Sequence, residues 1–175
     1  EWLAEFSGME RGAQDWLDQI VGHLDAPLTL DTPLRMAANG TALADLFNTV
    51  QLAASGAQIS VTSLANDAAG LPQTVRRRDI LNAYPYTNTL TVLQITGAVL
   101  RRAMERSAEY FTRNEDGTLR ISDAFLKPKV EHYNYDYYAG VHYVFDCSRP
   151  VGQRVTELCV GGRPVADDDV FTACL

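Results

Sequence analysis

The spacing of apolar residues predicts two helices in the first third of the chain. The first helix follows the i, i+3, i+4, i+7 rule and is expected to run to about His23, through the apolar positions Ala13, Trp16, Leu17 and Ile20. The second helix is expected between the capping residues Asn39–Thr41 and Gly56, with the apolar face Leu43, Leu46, Phe47 and Val50. Its polar opposite face is typical of an outer helix that packs on a sheet.

Alternating and β-branched segments predict strands after these helices. A first strand is expected at residues 58–62 and a second at residues 90–95, whose two apolar faces predict cover on both sides. Between them, residues 63–73 contain the Gly, Pro and small polar residues of a loop that leaves a strand end, where ligands tend to bind. Residues 76–83 are expected to form a short helix, with Asp79 in its first turn.

The second half of the chain predicts one more helix followed by hairpins. Thr96 is a suitable N-cap for a helix over residues 98–111. On this helix, Arg101 and Glu105 are expected to form an exposed i, i+4 ion pair, and residues 112–132 predict a surface excursion. Late strands are expected at residues 141–146, 154–160 and 170–175, with a hairpin turn at Gly161–Gly162. The predicted fold class is therefore α+β: a mixed β-sheet with helices on its faces and hairpins towards the C-terminus.

Composition restricts the classes of function. The 175 residues suffice for one well-packed domain, and a content of 46% hydrophobic and 21% charged residues is globular. A formal net charge of −7 argues against a protein that follows the phosphates of a nucleic acid polymer. The three cysteines match no metal-binding spacing and are interpreted as small buried residues, and no histidine stands with a carboxylate at such a spacing. No stretch reaches the roughly 18 apolar residues of a membrane span.

The hexapeptide Tyr84–Thr89 is the main candidate for ligand chemistry. Two tyrosines flank a proline and are followed by two hydroxyls and an amide, which predicts a stiff loop that displays a ring beside hydrogen-bonding groups. This combination is more typical of ligand contact than of a core. The pattern alone indicates a ligand without indicating its class.

Ordered sequence blocks give the chain a resemblance to the C-terminal domain of the 5'-nucleotidase family. The blocks are ISVTSL at residues 59–64, RDI at 78–80, YPYTNTL at 84–90, ITG at 95–97, RSAEYF at 106–111, HYNYD at 132–136 and RPVGQRV at 149–155. The tyrosine and Asn-Thr-Leu form of the loop is similar to the branch of bifunctional 2',3'-cyclic nucleotide 2'-phosphodiesterase/3'-nucleotidases. The resemblance covers nearly the whole chain and implies the fold of that C-terminal domain.

The resemblance implies a secreted, periplasmic or cell-wall-associated hydrolase of two domains. In that family an N-terminal metallophosphatase domain holds two divalent metal ions and hydrolyses the phosphoester through a metal-activated hydroxide. None of that domain's signatures, such as Asp-x-His or Gly-Asn-His-Glu, occurs here, so this chain is expected to bind no catalytic metal and to be inactive by itself. Residues 1–24 are interpreted as the end of an interdomain linker helix and residues 25–175 as a substrate-recognition domain that is truncated at its C-terminus. The expected partners are a nucleotide or nucleoside and the N-terminal domain of the same polypeptide.

The resemblance also assigns candidate binding residues. The family holds the nucleobase between two aromatic rings, and Tyr86 occupies the first of these positions, where stacking gains about 1 to 3 kcal/mol per base without requiring one particular base. The second ring is expected beyond Leu175. Family loops that match residues 63–70 approach the substrate, which makes Asn66 a candidate hydrogen-bond partner of the base or ribose. Asn88 is a third candidate, either for ligand contact or for orienting the hexapeptide.

Other interpretations stay open at this point. One is a non-catalytic structural or interaction module that retains the fold. Another is an independent enzyme that uses His132 or His142 with Asp136 as acid and base, although no nucleophile or metal cluster accompanies them. For Tyr86 the alternative is a half-buried ring that closes a hydrophobic lid, and for Asn66 a turn residue bonded to its own backbone. Several tyrosines are expected to pack on a sheet face, namely Tyr133, Tyr135, Tyr137 and Tyr138.

Overall fold

The computed structural model describes the backbone of residues 2–175 and the side chains of residues 6–175. In chain order the helices and strands are α1 (Trp2–Leu17), β1 (Ile20–His23), α2 (Pro33–Asn39), α3 (Ala42–Ser55), β2 (Ile59–Ser63), β3 (Thr74–Arg76), α4 (Arg77–Ala83), β4 (Val92–Thr96), α5 (Gly97–Ala108), β5 (Phe111–Arg113), β6 (Leu119–Ile121), β7 (Asp136–Ala139), β8 (Val141–Phe145), β9 (Val155–Val160), β10 (Arg163–Pro164) and β11 (Val170–Cys174).

Contacts along the chain divide it into two compact units, and each is described by itself. Unit 1 comprises residues up to Leu30 together with Asp67–Thr87, and unit 2 comprises Asp31–Asn66 and Asn88–Leu175. The hexapeptide Tyr84–Thr89 therefore begins in unit 1 and ends in unit 2.

Unit 1 contains α1, α4 and a two-stranded antiparallel sheet. Strands β1 and β3 pair with Ile20 opposite Arg76 and His23 opposite Thr74. The prediction that the first helix runs to about His23 is wrong, because the helix ends at Leu17 and the backbone groups of the next strand bond to β3 instead. The short helix expected at residues 76–83 is confirmed as α4, in which the Asp79 carboxylate accepts the Arg76 N–H at 2.7 Å.

Unit 2 contains a mixed four-stranded sheet in the order β4-β11-β2-β7, in which β11 and β2 are parallel and the other pairs are antiparallel. An antiparallel sheet β10-β9-β8 follows, with the predicted turn at Gly161–Gly162 between β9 and β10, where both glycines have positive φ. The surface excursion expected at residues 112–132 contains the hairpin β5-β6. The predicted α+β fold with a mixed sheet is confirmed.

The hydrophobic core of unit 2 lies between α5 and the strands. Leu100 and Met104 of α5 are buried at 1% and 0% exposure and join Ile59, Leu158 and Phe171 in one cluster. A second, aromatic cluster contains Tyr110, Phe111, Phe125 and Tyr135, of which Tyr110 and Phe125 contact edge to face with centroids 5.0 Å apart. Tyr135 is thus a core residue just before β7, while Tyr137 and Tyr138 lie on that strand.

Strand β4 is exposed, contrary to the prediction that it is covered on both sides. It forms one edge of the four-stranded sheet and is hydrogen-bonded only to β11. Val92 and Leu93 point to opposite faces of the strand, and they are 47% and 45% exposed. The predicted strand is present, but its edge position leaves both of its faces with fewer neighbours.

The expected ion pair on α5 is also wrong. The Glu105 carboxylate instead accepts the backbone N–H groups of Arg154 and Val155, at 3.0 and 2.8 Å. The Arg101 guanidinium donates to the Val155 carbonyl at 3.4 Å. Strand β9 begins here. Its first N–H groups require acceptors, which Glu105 supplies, and its first carbonyl requires a donor, which Arg101 supplies, so both side chains turn towards the strand instead of towards each other.

Candidate functional site

The hexapeptide Tyr84–Thr89 begins where α4 ends. The Tyr84 N–H closes the last turn by donating to the Ile80 carbonyl at 2.9 Å, and the preceding Ala83 is only 2% exposed. All of residues 85–90 are exposed. The Tyr86 side chain is 64% exposed, so the structure does not place it as a half-buried lid. A buried helix end therefore supports a loop whose central ring faces solvent.

The C-terminal end of α4 is fixed to the loop that precedes β3. The Ala69 N–H donates to the Asn82 carbonyl at 3.2 Å, and Leu28 and Leu71 exchange two backbone hydrogen bonds at 2.8 and 2.9 Å. Gly70 lies so close to the Leu28 carbonyl that an added Cβ would collide with that oxygen. Within unit 1, the segment is therefore held against Leu28 at a spacing that only glycine allows.

Asn66 and Asn88 belong to unit 2, and both are exposed. The Asn66 amide nitrogen donates to the Val130 carbonyl at 2.8 Å, which ties together two segments 64 residues apart. This bond is long-range, unlike the local turn bond considered as its alternative role. Their contact with a ligand stays a prediction, since the structure places the Tyr86 ring in unit 1 and these two amides in unit 2.

The histidines do not form the acid–base pair considered for an independent enzyme. The Tyr110 hydroxyl lies 2.7 Å from His132 Nδ1, and His142 Nε2 lies 3.2 Å from the exposed Glu157 carboxylate. Burial lowers the pKa of His132 and raises that of Tyr110 to about 12, so this contact joins a neutral imidazole and a neutral phenol at neutral pH. In the part of the chain that the structure describes, no three His, Cys, Asp or Glu side chains gather as a metal site would require.

Asp136 is the carboxyl group with the most perturbed acidity in this region. Burial raises its pKa to about 6, against the opposing effects of the Tyr138 hydroxyl and the Arg106 guanidinium. The Tyr138 hydroxyl also lies 3.2 Å from the Ser107 hydroxyl of α5. Because neither histidine is bonded to Asp136, these contacts describe a buried polar link between β7 and α5 and not a catalytic dyad.

The comparison with known families settles the class of the fold. Residues 20–175 match the family described as 5'-nucleotidase, C-terminal domain. The chain belongs to this family. It is 26% identical over 106 residues to the 2',3'-cyclic-nucleotide 2'-phosphodiesterase/3'-nucleotidase of Yersinia enterocolitica, a match that covers 54% of the chain and 16% of that protein.

Solved structures share this fold. A Staphylococcus aureus structure assigned as a 5'-nucleotidase, in complex with α-ketoglutarate, has 36% sequence identity and a TM-score of 0.87 over 96% of this chain and 33% of that one. The Thermus thermophilus sulfate thiohydrolase SoxB, in complex with glycerol, has 22% identity and a TM-score of 0.65 over 98% and 29% of the respective chains. The 5'-nucleotidase C-terminal domain described here thus spans about a third of the length of these structural neighbours.

A separate concave surface lies in unit 2 of this 5'-nucleotidase C-terminal domain. It encloses about 390 Å³ and is lined by Ala37, Ala38, Asn39, Gly40, Phe111, Leu119, Tyr135, Tyr137, Tyr143, Phe145 and Cys147. All of these side chains are uncharged at neutral pH, and the Tyr135 hydroxyl donates to the Ala37 carbonyl at 2.9 Å. Most of the lining rings belong to the two hydrophobic clusters of unit 2, so the cavity is a surface depression of the core.

Sequence reasoning missed the contacts of Arg77 and Arg78 at the start of α4. Both arginines bond to residues that directly follow α1, roughly 60 positions earlier in the chain. An Arg-Arg pair at the start of a short helix gives no sign of a distant partner. In the part of the chain that the structure describes, no helix is long and apolar enough to cross a membrane.

Proposed function

We propose that this domain recognises the nucleobase of a nucleotide for a phosphoester hydrolase, and that Tyr86 offers one stacking face. The observation that supports this most is exposure. Tyr86 is 64% exposed at its loop, whereas Tyr110 and Tyr135 are 1% and 3% exposed in the core. Covering a solvent-exposed aromatic ring with another flat ring is favourable. Base stacking on an aromatic side chain contributes about 1 to 3 kcal/mol to the free energy of binding.

The phosphoester chemistry is assigned to a metallophosphatase domain of the full-length parent, which would hold two divalent metal ions. No step of the reaction is assigned to the residues of this chain. This chain would bind the base and orient the nucleotide. The substrate would be a nucleoside monophosphate or a 2',3'-cyclic nucleotide, and the parent would act outside the cytoplasm or at the cell wall.

Asn66 and Asn88, both in unit 2, are proposed as polar contacts to a base or ribose. An amide can donate and accept at the same time, which suits the mixed edge of a nucleobase. One donor of Asn66 is already bonded to the Val130 carbonyl, so this side chain is held in a defined orientation. A ligand would therefore meet its remaining amide groups.

The test is substitution of Tyr86 in the full-length parent. Tyr86→Ala is expected to raise KM for nucleotides about 5-fold to 150-fold, the range that corresponds to about 1 to 3 kcal/mol of lost stacking, with little change in kcat. Tyr86→Phe keeps the ring and is expected to stay close to wild type. Leu81→Ala, which truncates a 45% exposed apolar side chain outside the hexapeptide, is the control. An unchanged KM for Tyr86→Ala would show that the ring does not contact the substrate.

The alternative of an interaction module has one observation in its favour. Phe6, Met9 and Trp16 lie on one side of α1 and are 51%, 66% and 46% exposed. Such a stripe suits contact with another domain of the same polypeptide. Met9→Glu would then lower the stability of the full-length parent without changing its KM. If the parent carrying Tyr86→Ala kept the wild-type KM, the interaction module would be the better interpretation.

A further inference from the structure

Two arginines connect the start of α4 to the last turn of α1 and to the two residues that follow it, all within unit 1. Arg78 Nε donates to the Asp18 carboxylate at 2.8 Å, and its Nη2 donates to the Gln14 side-chain oxygen at 2.9 Å. Arg77 Nε donates to the Gln19 side-chain oxygen at 3.1 Å, and its guanidinium lies 4.7 Å from the centre of the Trp16 ring. The Arg77 backbone N–H also donates to the Gln19 carbonyl at 3.1 Å.

These contacts are more than a solvated basic face. A single exposed ion pair contributes about 0 to 1 kcal/mol, and Arg78 and Asp18 are 36% and 57% exposed, so Coulomb attraction alone would be weak. Here two adjacent guanidinium groups contact four side chains of one short segment, residues 14–19. The planar fork of arginine makes such contacts directional. Their effect is therefore on the orientation of α4 more than on overall stability.

Helix α4 transmits that orientation to the hexapeptide. It has seven residues and spans about 10 Å, which is too short for appreciable bending. Arg77 and Arg78 stand at its first two positions, while Ala83 is buried and the Asn82 carbonyl accepts the Ala69 N–H at the other end. Because α4 is held at both ends, it sets the direction in which the chain leaves the helix at Ala83. Tyr86 follows three residues after Ala83.

We infer that Arg77 and Arg78 are positioning residues for Tyr86, through which the end of α1 sets the place of the nucleobase-stacking ring. This inference rests on the proposed function. The residues that receive the two arginines all precede residue 20, where the match to the family begins. The orientation of the Tyr86 ring is thus set by a segment that precedes the family domain in sequence. A shift of α1 would therefore move the ring on which the base stacks.

The experiment measures nucleotide hydrolysis by the full-length parent carrying Arg78→Ala, Arg77→Ala or both. We expect each single variant to raise KM about 3-fold to 10-fold, with kcat within about 2-fold, because the ring is displaced while the reaction centre is not. Arg78→Lys keeps one contact to Asp18 and is expected to recover part of the loss. Arg76→Ala removes the same charge from the adjacent, exposed position, whose contribution to the cap of α4 comes from its backbone N–H, and it serves as the control.

Amide hydrogen exchange separates positioning from general destabilisation. Arg78→Ala should speed exchange in peptides covering residues 79–90 and leave the strands of unit 2 unchanged. If Tyr86→Ala raises KM and Arg78→Ala does not, the inference is overturned and the proposed function stands. If Tyr86→Ala leaves KM unchanged, the proposed function itself fails. Faster exchange throughout the chain in Arg78→Ala would also overturn positioning, since the arginine would then act on the whole fold.

Discussion

Arg154 provides the sharpest test of how unit 2 is held together. Its side chain is 7% exposed, and Nη1 donates to the carbonyls of Ala108 and Phe111 at 2.7 and 2.6 Å. Nε donates to the Arg149 carbonyl at 3.1 Å. Ala108 is the last residue of α5, so the cation also lies at the negative end of the helix dipole. One buried guanidinium therefore joins the end of α5, the start of β5 and the turn before β9.

We expect Arg154→Ala to lower the free energy of unfolding by about 3 to 5 kcal/mol. Each hydrogen bond to a charged group contributes about 1.5 to 3 kcal/mol, and three such bonds that share one cation are not additive. The loss would be a large part of the roughly 5 to 15 kcal/mol that stabilises a domain. The stability of Arg154→Lys is expected to lie between that of wild type and that of Arg154→Ala, because one ammonium group cannot reach all three carbonyls in the same geometry.

Urea unfolding of the 175-residue chain, followed by circular dichroism, measures this difference. An unchanged slope against urea shows that the same transition is compared. Arg102→Ala on the exposed side of α5 is the control and is expected to stay within about 0.5 kcal/mol of wild type. A loss of less than about 1 kcal/mol for Arg154→Ala would refute the reasoning. The three hydrogen bonds would then be hardly more favourable than the bonds that the same groups make to water in the unfolded chain.

The remaining predictions concern acidity and close packing. Since the folded pKa of Asp136 is about 6 and its reference value is 3.8, the stability associated with its protonated form is complete below about pH 4 and lost as pH rises to 6. At pH 7.5, Asp136→Asn should therefore have a free energy of unfolding about 1 to 3 kcal/mol higher than that of wild type. Near pH 4 the two proteins should be equally stable. Gly97→Ala should destabilise by about 1 to 3 kcal/mol, because its Cβ would collide with the Ala166 carbonyl and lie 2.7 Å from Val165 Cγ1. Gly12→Ala in α1, where nothing lies within 4 Å, should be neutral or slightly stabilising.

Local signals in the sequence predicted the features that depend on a few neighbouring residues. Thr96 accepts the Val99 N–H as the expected N-cap, and Gly56 ends α3 in the left-handed conformation. These features succeed because caps and turns are decided by backbone groups within four positions. The hexapeptide was likewise recognised as a displayed ring, and the structure confirms the exposure of Tyr86.

The failures all involve partners that are distant along the chain. Glu105 bonds to backbone about 50 residues away, and Arg78 bonds to a carboxylate 60 residues away. Periodicity assigns a residue to a face but does not say which group covers that face. For the same reason Val92 was expected to be buried, although strand β4 has a partner on one side only.

The contrast between Tyr86 and Arg154 can separate recognition from folding. Tyr86 is 64% exposed, so its truncation removes little buried area and should change the free energy of unfolding by less than about 0.5 kcal/mol. Arg154 is buried, and its truncation should reduce stability with no direct effect on the affinity of the remaining folded protein. A structural module predicts that Tyr86→Ala changes neither stability nor KM. A recognition domain predicts that it changes KM alone, and only this second outcome assigns the exposed ring to a ligand.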